Sequence, residues 1–407
     1  MILAKSRATT AAPNRRRFIA GVAALGAGVL AGRAPVALAQ AKPPLKIGVL
    51  NSFSKVFAAL GAANLNGMTL YFDQIGGTIA GRKIELIRED DEINPQVGLQ
   101  KLKKLVESDK CDIITGIQAS NVAMAAVDYL KQSGVLFLCS GAGVTALGYV
   151  NAPNIFRSSV SSQQINSVLG DWWYDNGTKE VVASASDFAG GRDTVAEFRS
   201  AYIKKGGKIT KEIYPPLGNA DFSPYLADIR SLAPPATYSF YAGTDAVRFV
   251  KQYAEFGLKA KMKSTASGFM VESDVLPAQG KDALGIISSM HYADTLTNPE
   301  NVKFVADYRK KYNEYPSVYA EYGYVAAKCL HDAITATGGD TADQAKLRAA
   351  MLAVKFNAPR GPFSFNPVTQ GPIHNIYIRE VAEVDGRIAN KVIATLRDVR
   401  EPATRGG

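Results

Sequence analysis

The amino-acid sequence predicts an α/β protein built from two doubly wound parallel-sheet lobes. Short apolar runs alternate with segments whose apolar residues recur every three or four positions, which is typical of βαβ units on a parallel sheet. The alternation begins at Leu45 and restarts after Ser158, so two such units follow one another along the chain. From about His291, two long helical segments precede short strands that can complete the sheets of these units.

The first unit consists of short runs rich in Ile, Val and Leu, separated by helical patterns. The predicted strands are 45–51, 83–90, 112–116 and 135–139, and the predicted helices are 61–75, 95–108 and 120–133. Runs of this length suit buried strands, and the segments between them are long enough for crossover helices.

The second unit and the C-terminal part repeat this pattern. The second unit has predicted strands at 180–186, 208–214 and 237–243, with helices at 162–176, 192–205, 224–232 and 246–256. The C-terminal part has predicted helices at 301–312 and 316–337, followed by strands at 360–365 and 374–381.

Residues 1–39 have the features of a cleaved export signal. Arg15–Arg17 precede the Ala- and Gly-rich apolar stretch Phe18–Ala31, and Ala37–Ala39 fits a signal-peptidase site. The paired arginines resemble a twin-arginine (Tat) signal, with the Sec route as the alternative. The stretch is too short for a transmembrane helix. We therefore predict a periplasmic protein, cleaved near Ala39.

Composition excludes several kinds of function. The net charge of +10 owes six basic residues and no acid to residues 1–39, so the rest of the chain is close to neutral and lacks a stripe for nucleic acid. Three His and three Cys leave little material for a metal site or a disulfide scaffold. We expect Cys111 and Cys139 to remain unbridged as small apolar residues.

A glycine-rich motif follows the strand 135–139 but does not indicate a nucleotide cofactor. Residues 141–146 match the G-x-G-x-x-A fingerprint, yet no acid that could hold a ribose occurs between Asp128 and Asp171. We interpret the segment as a loop whose small residues let a ligand approach backbone amides, and we expect no cofactor.

Ligands of doubly wound sheets bind at the carboxyl ends of the strands. The segments at these ends are 51–61, 116–121, 139–145, 185–191, 241–245 and 264–270. They are rich in small, hydroxyl and aromatic residues, and their acids are Asp187 and Asp245. They contain no His and no obvious pairing of a base with a nucleophile, which favours binding over catalysis.

Ser120 stands where a strand ends and a helix begins, and two interpretations are open. Its hydroxyl could cap the helix by accepting a backbone N–H, as Ser commonly does. It could instead present a hydroxyl and free amides to an anion, with help from the helix dipole. In the second case the loop Gly141–Gly143 could supply further amides for a carboxylate.

Several motifs occur in an order and spacing that is specific to one family. They include IGVLNSFS, GRKIELIREDDEINPQVGLQKL, DIITGIQAS, KKGGKI, FVADYRKKYNEYPSVYAEYGY and PRGPFSF. With them, essentially the whole mature chain resembles the leucine/isoleucine/valine-binding proteins of ABC transporters, which are type I periplasmic binding proteins. The resemblance implies two lobes that close on a ligand, joined by a three-strand hinge with crossings near Arg157, Met290 and Gln370. The implied lobes are 40–157 plus 291–370 and 158–290 plus 371–407.

The resemblance also implies which residues hold the ligand. Ser120 matches the serine that holds the ligand carboxylate, and Ala142 and Gly143 match the next carboxylate-holding loop, with Gly143 in place of a threonine. In the second lobe, Phe188 matches an aromatic residue of the first loop and Thr244 lies near the ligand. Tyr319 matches an aromatic residue near the start of the last long helix.

The acidic residue that meets the ammonium of an amino acid falls at Ser267. Burying an ammonium without a counter-charge costs several kcal/mol, so this replacement favours an aromatic or other hydrophobic carboxylic acid. The alternative is that Asp187 or Asp245 serves the ammonium from an adjacent position.

We therefore expect the solute-binding component of an ABC importer, with a small carboxylate as ligand and the transporter permease as partner. The chain is expected to act as a monomer and to lack enzymatic activity. The alternatives are branched-chain amino acid or amide binding by the same fold, an exported α/β enzyme, and the sensory domain of a receptor.

Overall fold

Two sheets organise residues 42–404, the part of the chain that the computed structural model describes. Parallel strands dominate both sheets, and helices connect them, so the predicted α/β fold with two doubly wound units is confirmed. The predicted export signal at 1–39 lies outside the described residues.

The first sheet is built from the first four predicted strands and two additional short ones. Its strands are β1 (Leu45–Asn51), β2 (Thr78–Ile79), β3 (Arg82–Asp90), β4 (Ile113–Gly116), β5 (Phe137–Cys139) and β6 (Ile155–Arg157), in the order β2-β3-β1-β4-β5-β6. All neighbours run parallel except β2 and β3. The connecting helices are α1 (Ala58–Gln74), α2 (Pro95–Lys103) and α3 (Ser120–Ser133), and a π-helical turn extends α2 to Ser108.

The second sheet has a parallel part and an antiparallel part. The parallel strands are β7 (Glu180–Ala185), β8 (Lys208–Ile213), β9 (Ala236–Phe240), β10 (Lys263–Ser267) and β11 (Ile287–Met290), in the order β8-β7-β9-β10-β11. The antiparallel strands are β12 (Lys355–Ala358), β13 (Gly361–Phe365), β14 (Pro372–Val384) and β15 (Arg387–Val399), with β14 beside β11. The helices α4 (Ser162–Asp175), α5 (Ala189–Lys204), α6 (Ser223–Leu232), α7 (Thr244–Glu255) and α8 (Leu276–Gln279) belong to this part of the chain.

Three further helices follow β11, namely α9 (Pro299–Tyr312), α10 (Val318–Ala336) and α11 (Gln344–Leu352). The long helix α10 packs along α1, and α11 packs on α10. We call the first sheet with α1–α3, α9–α11, β12 and β13 the first lobe, because Phe363 and Phe365 of β13 pack in its core and α9 packs on α1. The second lobe consists of β7–β11, β14 and β15 with α4–α8.

Some elements differ from the sequence prediction. The strand predicted at 237–243 ends at Phe240, because the chain then leaves the sheet and reaches Gly243 at a φ of 58°. Besides β2 and β6, the sequence prediction missed the strands β10, β11, β12 and β15 and the helices α8 and α11. β15 alternates half-buried and exposed residues and pairs only with β14, so it lacks a continuous apolar run.

Buried polar groups connect the segments that pass between the lobes. The Arg360 guanidinium donates from Nε to Glu321 Oε1 at 2.7 Å and from Nη1 to the Ser158 carbonyl at 2.7 Å. His291 Nε2 lies 3.2 Å from Glu321 Oε2. Burial, with the Arg360 charge nearby, lowers the pKa of His291 well below its ordinary value, so this imidazole is neutral.

The three cysteines lie within the described residues and are buried, free thiols. This agrees with the expectation that Cys111 and Cys139 serve as small apolar residues. Burial raises the pKa of the Cys111 thiol to about 12, so it is not a reactive thiolate.

Candidate functional site

A cavity lies where the carboxyl ends of strands from both sheets meet. It outlines about 410 Å³ of empty volume, its open side included. Loops after β4, β5, β7, β9 and β10 line it, together with the starts of α1, α4 and α10. Doubly wound sheets bind ligands at this edge. The cavity proper is narrow, with a volume of about 40 Å³.

The lining divides into a polar side and an apolar side. The polar side consists of Gln118, Ser120, Gly141, Gly143, Ser162 and Thr194. The apolar side consists of Phe57, Leu60, Phe188, Phe240, Phe269 and Tyr319. Among the residues that the structure describes, no charged side chain lines the cavity.

Ser120 does not act as the cap of its helix. It is the first residue of α3, and Ala119 takes the N-cap position without any side-chain cap. The Ser120 side chain is 5% exposed, and its hydroxyl has no hydrogen-bond partner among the described residues. Of the two interpretations open from the sequence, the structure removes the capping role and leaves the hydroxyl available to a ligand.

Two helices point uncapped N-termini toward this serine. The first hydrogen bond of α3 runs from the Ala123 N–H to the Ala119 carbonyl, so the amides of residues 120–122 have no helical partner. Helix α5 begins after Phe188, also without a side-chain cap. A Cβ added to Gly190 in its first turn would lie 3.1 Å from Ser120 Oγ. Two positive helix ends and a hydroxyl thus meet at one point, which favours a bound anion.

Helix α4, which also reaches the cavity, is satisfied by its own residues. The Ser161 hydroxyl accepts from the Gln164 N–H at 3.2 Å, and Gln164 Oε1 accepts from the Ser161 N–H at 3.0 Å. The Ser162 N–H donates to the Gly143 carbonyl at 2.6 Å. Because these bonds engage the first backbone N–H groups of α4, fewer free N–H groups remain there for an anion than at the starts of α3 and α5.

Gln118 is the largest polar side chain on the polar side. Both ends of its carboxamide are buried and have no hydrogen-bond partner among the described residues. It follows Ile117, a β-branched residue with a φ of 57°. Such a conformation is costly for Ile and is typical of functional sites.

The apolar side is a chain of aromatic rings. Successive ring centroids lie 6.0 Å apart for Phe57 and Phe188, 6.0 Å for Phe188 and Phe240, 5.9 Å for Phe240 and Phe269, and 5.9 Å for Phe269 and Tyr319. These distances are those of favourable edge-to-face and offset contacts. The first and last pairs join the two lobes across the cavity.

A buried salt bridge between Arg379 and Glu272 fixes the segments that carry two of these rings, Phe269 and Tyr319. Arg379 donates to the Gly268 carbonyl at 3.2 Å and to Glu272 Oε1 at 2.8 Å, which fixes the loop that carries Phe269. Glu272 Oε2 accepts from the Val318 N–H at 3.2 Å, next to Tyr319. The salt bridge therefore ties a loop of the second lobe to the start of α10 in the first lobe.

The structure brings four of the predicted site residues to the cavity, namely Ser120, Gly143, Phe188 and Tyr319. The other three, Ala142, Thr244 and Ser267, do not line it. The Ala142 N–H donates to the Ile117 carbonyl at 2.8 Å, so this amide is engaged within the first lobe. Thr244 is exposed to solvent, and Ala242 lines the cavity in its stead. Ser267, two residues before Phe269 in the sequence, is fully buried.

Asp187 and Asp245, the alternative partners for an ammonium, lie away from the cavity. Asp187 pairs with Arg192 at 2.7 Å on the surface, where both side chains are about half exposed. Asp245 is buried and accepts from the Gly218 N–H at 2.8 Å. Neither acid lines the cavity.

Sequence reasoning did not single out Phe57, Gln118 or Ala242, although all three fall within the loop segments inspected at strand ends. Ser162 and Thr194 fall outside those segments, since Ser162 begins α4 and Thr194 lies in the second turn of α5. Their hydroxyls lie 3.4 Å apart, and only the contact between α4 and α5 brings them together.

The fold and the cavity define a class of protein. A ligand cavity between two α/β lobes, at the carboxyl ends of both sheets and without a catalytic constellation in its lining, is the arrangement of a type I periplasmic binding protein. The family model described as periplasmic binding protein matches residues 44–387.

Similar proteins agree with this class. A solute-binding protein of an ABC transporter from R. palustris, solved with benzoate, is 33% identical with a TM-score of 0.83, over 87% of this chain and 98% of that one. A solute-binding protein from Rhodopseudomonas palustris BisB5, solved with 3,4-dihydroxybenzoic acid, is 34% identical with a TM-score of 0.85, over 88% and 99%. Leu/Ile/Val-binding protein homolog 6 of Brucella melitensis is 30% identical over 370 residues, covering 89% of this chain and 94% of its own.

The chain therefore belongs to the periplasmic binding protein family, as a solute-binding protein of the leucine/isoleucine/valine-binding type. The resemblance found in the sequence is confirmed. Within residues 42–404, no helix combines the length and the apolar character that crossing a membrane requires.

Proposed function

We propose that this protein captures a small hydrophobic or aromatic carboxylate for import by an ABC transporter. The observation that carries the proposal is a cavity whose lining, within residues 42–404, has no charged side chain, and in which a free hydroxyl and two uncapped helix N-termini lie opposite aromatic rings. A ligand that fits has an anionic head and an apolar body.

The head is assigned to Ser120 and to the first-turn amides of α3 and α5. Each helix terminus acts as roughly half a positive charge, and it can bind a carboxylate without any Arg or Lys. Gly143 remains a candidate donor, since its N–H has no partner among the described residues, whereas the Ala142 amide is engaged.

The absence of an acid in the described lining argues against an amino acid. An ammonium placed in this cavity would meet the positive ends of two helices and no acidic side chain among the described residues. Leaving it unpaired would cost several kcal/mol, more than one neutral hydrogen bond returns. The relatives solved with benzoate and with 3,4-dihydroxybenzoic acid support the same ligand class for this chain.

Capture is proposed to occur by hinge closure. The polar side draws Gln118 and Ser120 from the first lobe and Thr194 from the second, so one lobe alone cannot surround a ligand. Closure is stabilised by contacts made only in the closed state, which makes the closed population depend on the ligand. The crossings near Arg157, Met290 and Gln370 would act as the hinge between the lobes 40–157 plus 291–370 and 158–290 plus 371–407.

The remaining parts of the proposal concern the cellular setting. The protein would be exported by a Tat-like signal at 1–39, work in the periplasm as a monomer, and deliver its ligand to a membrane permease. It would not be an enzyme, and it would need no cofactor. The basic n-region, the cleavage motif and the family membership support this setting.

A thermal-shift screen of purified protein tests the function. The ligands are benzoate, cinnamate, aliphatic acids, leucine, valine and benzamide. A ligand at 100 times its dissociation constant adds about 2.7 kcal/mol to the free energy of unfolding, which raises the Tm measurably. We expect the aromatic and apolar acids to raise the Tm. Stabilisation by leucine or valine, with none by the acids, would contradict the proposal.

Small-angle scattering tests the closure separately. We expect the radius of gyration to fall when a ligand that raises the Tm is added at saturation. An unchanged radius would contradict the hinge mechanism while leaving the ligand class intact.

A further inference from the structure

The Gln118 carboxamide forms no hydrogen bond with the described part of the protein. The residue is 8% exposed, it lines the cavity, and neither its Nε2 nor its Oε1 has a partner among the described residues. Buried carboxamides are nearly always hydrogen-bonded, because leaving such a group unpaired costs free energy. An orphan carboxamide that faces a ligand cavity therefore indicates a bond that the ligand completes.

The backbone before Gln118 fixes its direction. Ile117 has a φ of 57°, and its N–H donates to the Leu50 carbonyl at 2.6 Å. Its carbonyl accepts from the Ala142 N–H at 2.8 Å. These two bonds join three neighbouring strand ends, so the backbone of the strained turn is held in one conformation.

Gly141 makes the space that this side chain occupies. A Cβ at position 141 would lie 2.1 Å from Gln118 Oε1, far inside any contact distance. With glycine at 141, the carboxamide can lie across the loop 141–143. It then stands on the polar side of the cavity, two residues before Ser120.

The charges around this position decide which ligand group the carboxamide meets. Helix α3 begins at Ser120 and brings its unpaired amides to the same side, and the described part of the chain contributes no acid or base to the lining. These amides attract an anion, and a carboxylate has two oxygens that can accept bonds from different donors. When Ser120 and one helix amide donate to the ligand carboxylate, its second oxygen can still accept a hydrogen bond from another donor.

We propose that Gln118 determines specificity by donating a hydrogen bond from its carboxamide to the ligand carboxylate beside Ser120. This inference rests on the proposed function, since it takes the ligand to be an apolar carboxylate. Gln118 selects for an acid over the corresponding neutral amide, and it does so as a neutral donor that adds no charge to the cavity.

Titration calorimetry with benzoate and benzamide tests the assignment, using the wild type, Gln118→Met and Gln118→Glu. We expect Gln118→Met, which keeps the volume, to weaken benzoate binding by roughly tenfold or more, since bonds to charged groups are the strong ones. Benzamide binding should change less. Gln118→Glu should weaken benzoate binding further because two carboxylates would then face each other.

Gln96→Met serves as the matched control, because Gln96 is exposed on α2 and distant in sequence from the cavity residues. It should bind benzoate as the wild type does. The unliganded Gln118→Met protein should unfold at the wild-type temperature or above it, since the change removes an unpaired polar group. That result separates loss of a ligand contact from loss of the fold.

The outcomes are distinct. If the wild type binds benzoate and Gln118→Met binds it equally well, the assignment of Gln118 is overturned and the proposed function stands. The assignment is also overturned if Gln118→Glu binds benzoate more tightly than the wild type. If the wild type binds neither benzoate nor any other acid of the screen, the proposed function itself fails.

Discussion

Replacing Ser120 with alanine separates the two roles that a serine at a helix start can have. In the structure Ala119 is the N-cap, and the Ser120 hydroxyl has no partner among the described residues. Losing a capping serine typically costs about 1 kcal/mol of stability, but here no cap is lost. We therefore expect the free energy of unfolding of the unliganded Ser120→Ala protein to change by less than about 0.5 kcal/mol.

The affinity of Ser120→Ala for benzoate should fall strongly. A hydrogen bond to a charged group contributes about 1.5–3 kcal/mol. Losing the Ser120 hydroxyl should therefore raise the Kd for benzoate roughly 10- to 150-fold. Titration calorimetry gives the Kd, and urea unfolding monitored by circular dichroism gives the stability.

Ser133→Ala is the control for this experiment, since Ser133 lies at the other end of α3 and its hydroxyl bonds to the Leu130 carbonyl at 3.2 Å. This variant should bind benzoate as the wild type does. The reasoning would be refuted if Ser120→Ala kept the wild-type Kd and lost about 1 kcal/mol of stability, because Ser120 would then be a cap.

Three further predictions concern the ring pocket, a buried acid and the hinge. A ring hydroxyl would face aromatic side chains, so 4-hydroxybenzoate should bind about 1–3 kcal/mol more weakly than benzoate in calorimetry, and equal or tighter binding would show a polar partner on that side. Burial, with Glu272 and Glu314 nearby, raises the pKa of Asp274 to about 7 from an ordinary 3.8. The stability associated with this carboxyl is complete below pH 3.8 and is lost as the pH rises through 7, so Asp274→Asn should raise the Tm more at pH 8 than at pH 5; an equal shift at both would contradict this. Glu321→Gln leaves the Arg360 charge unpaired and should lower the free energy of unfolding by about 3–5 kcal/mol in urea titrations, whereas a loss below about 1 kcal/mol would rule out a structural role for this pair.

The sequence was sufficient to predict several of the strand ends and helix starts that border the cavity. Helix α3 begins and ends where its apolar period predicts, at Ser120 and Ser133. Strand ends can be read from the sequence because buried parallel strands are short apolar runs. The position of Ser120 between such a run and a helix marks it as a site residue, whereas Phe188 follows only from the family resemblance.

The sequence could not predict contacts that depend on how loops turn or how the lobes meet. Thr244 follows a strand, yet Gly243 at a φ of 58° turns the chain so that Ala242 lines the cavity and Thr244 faces solvent. The orphan state of Gln118 depends on the positive φ of Ile117, which no residue pattern predicts for a β-branched side chain.

The proximity of Gly190 to Ser120 is a contact between two lobes. A Cβ at position 190 would lie 3.1 Å from Ser120 Oγ, because the N-terminal ends of α3 and α5 approach each other. The sequence locates each helix start within its own unit, but it contains no signal for the distance between them.

The central claim is that the cavity accepts a carboxylate and rejects an ammonium. Two matched pairs of ligands test it most directly, namely leucine with 4-methylpentanoate and phenylalanine with 3-phenylpropanoate. The members of each pair differ only by the amino group, so the ratio of their Kd values in titration calorimetry measures what the ammonium costs. We predict that the acid binds at least tenfold more tightly than the amino acid in any pair that binds, since an unpaired ammonium costs several kcal/mol. Tighter binding of the amino acid in either pair would contradict the account.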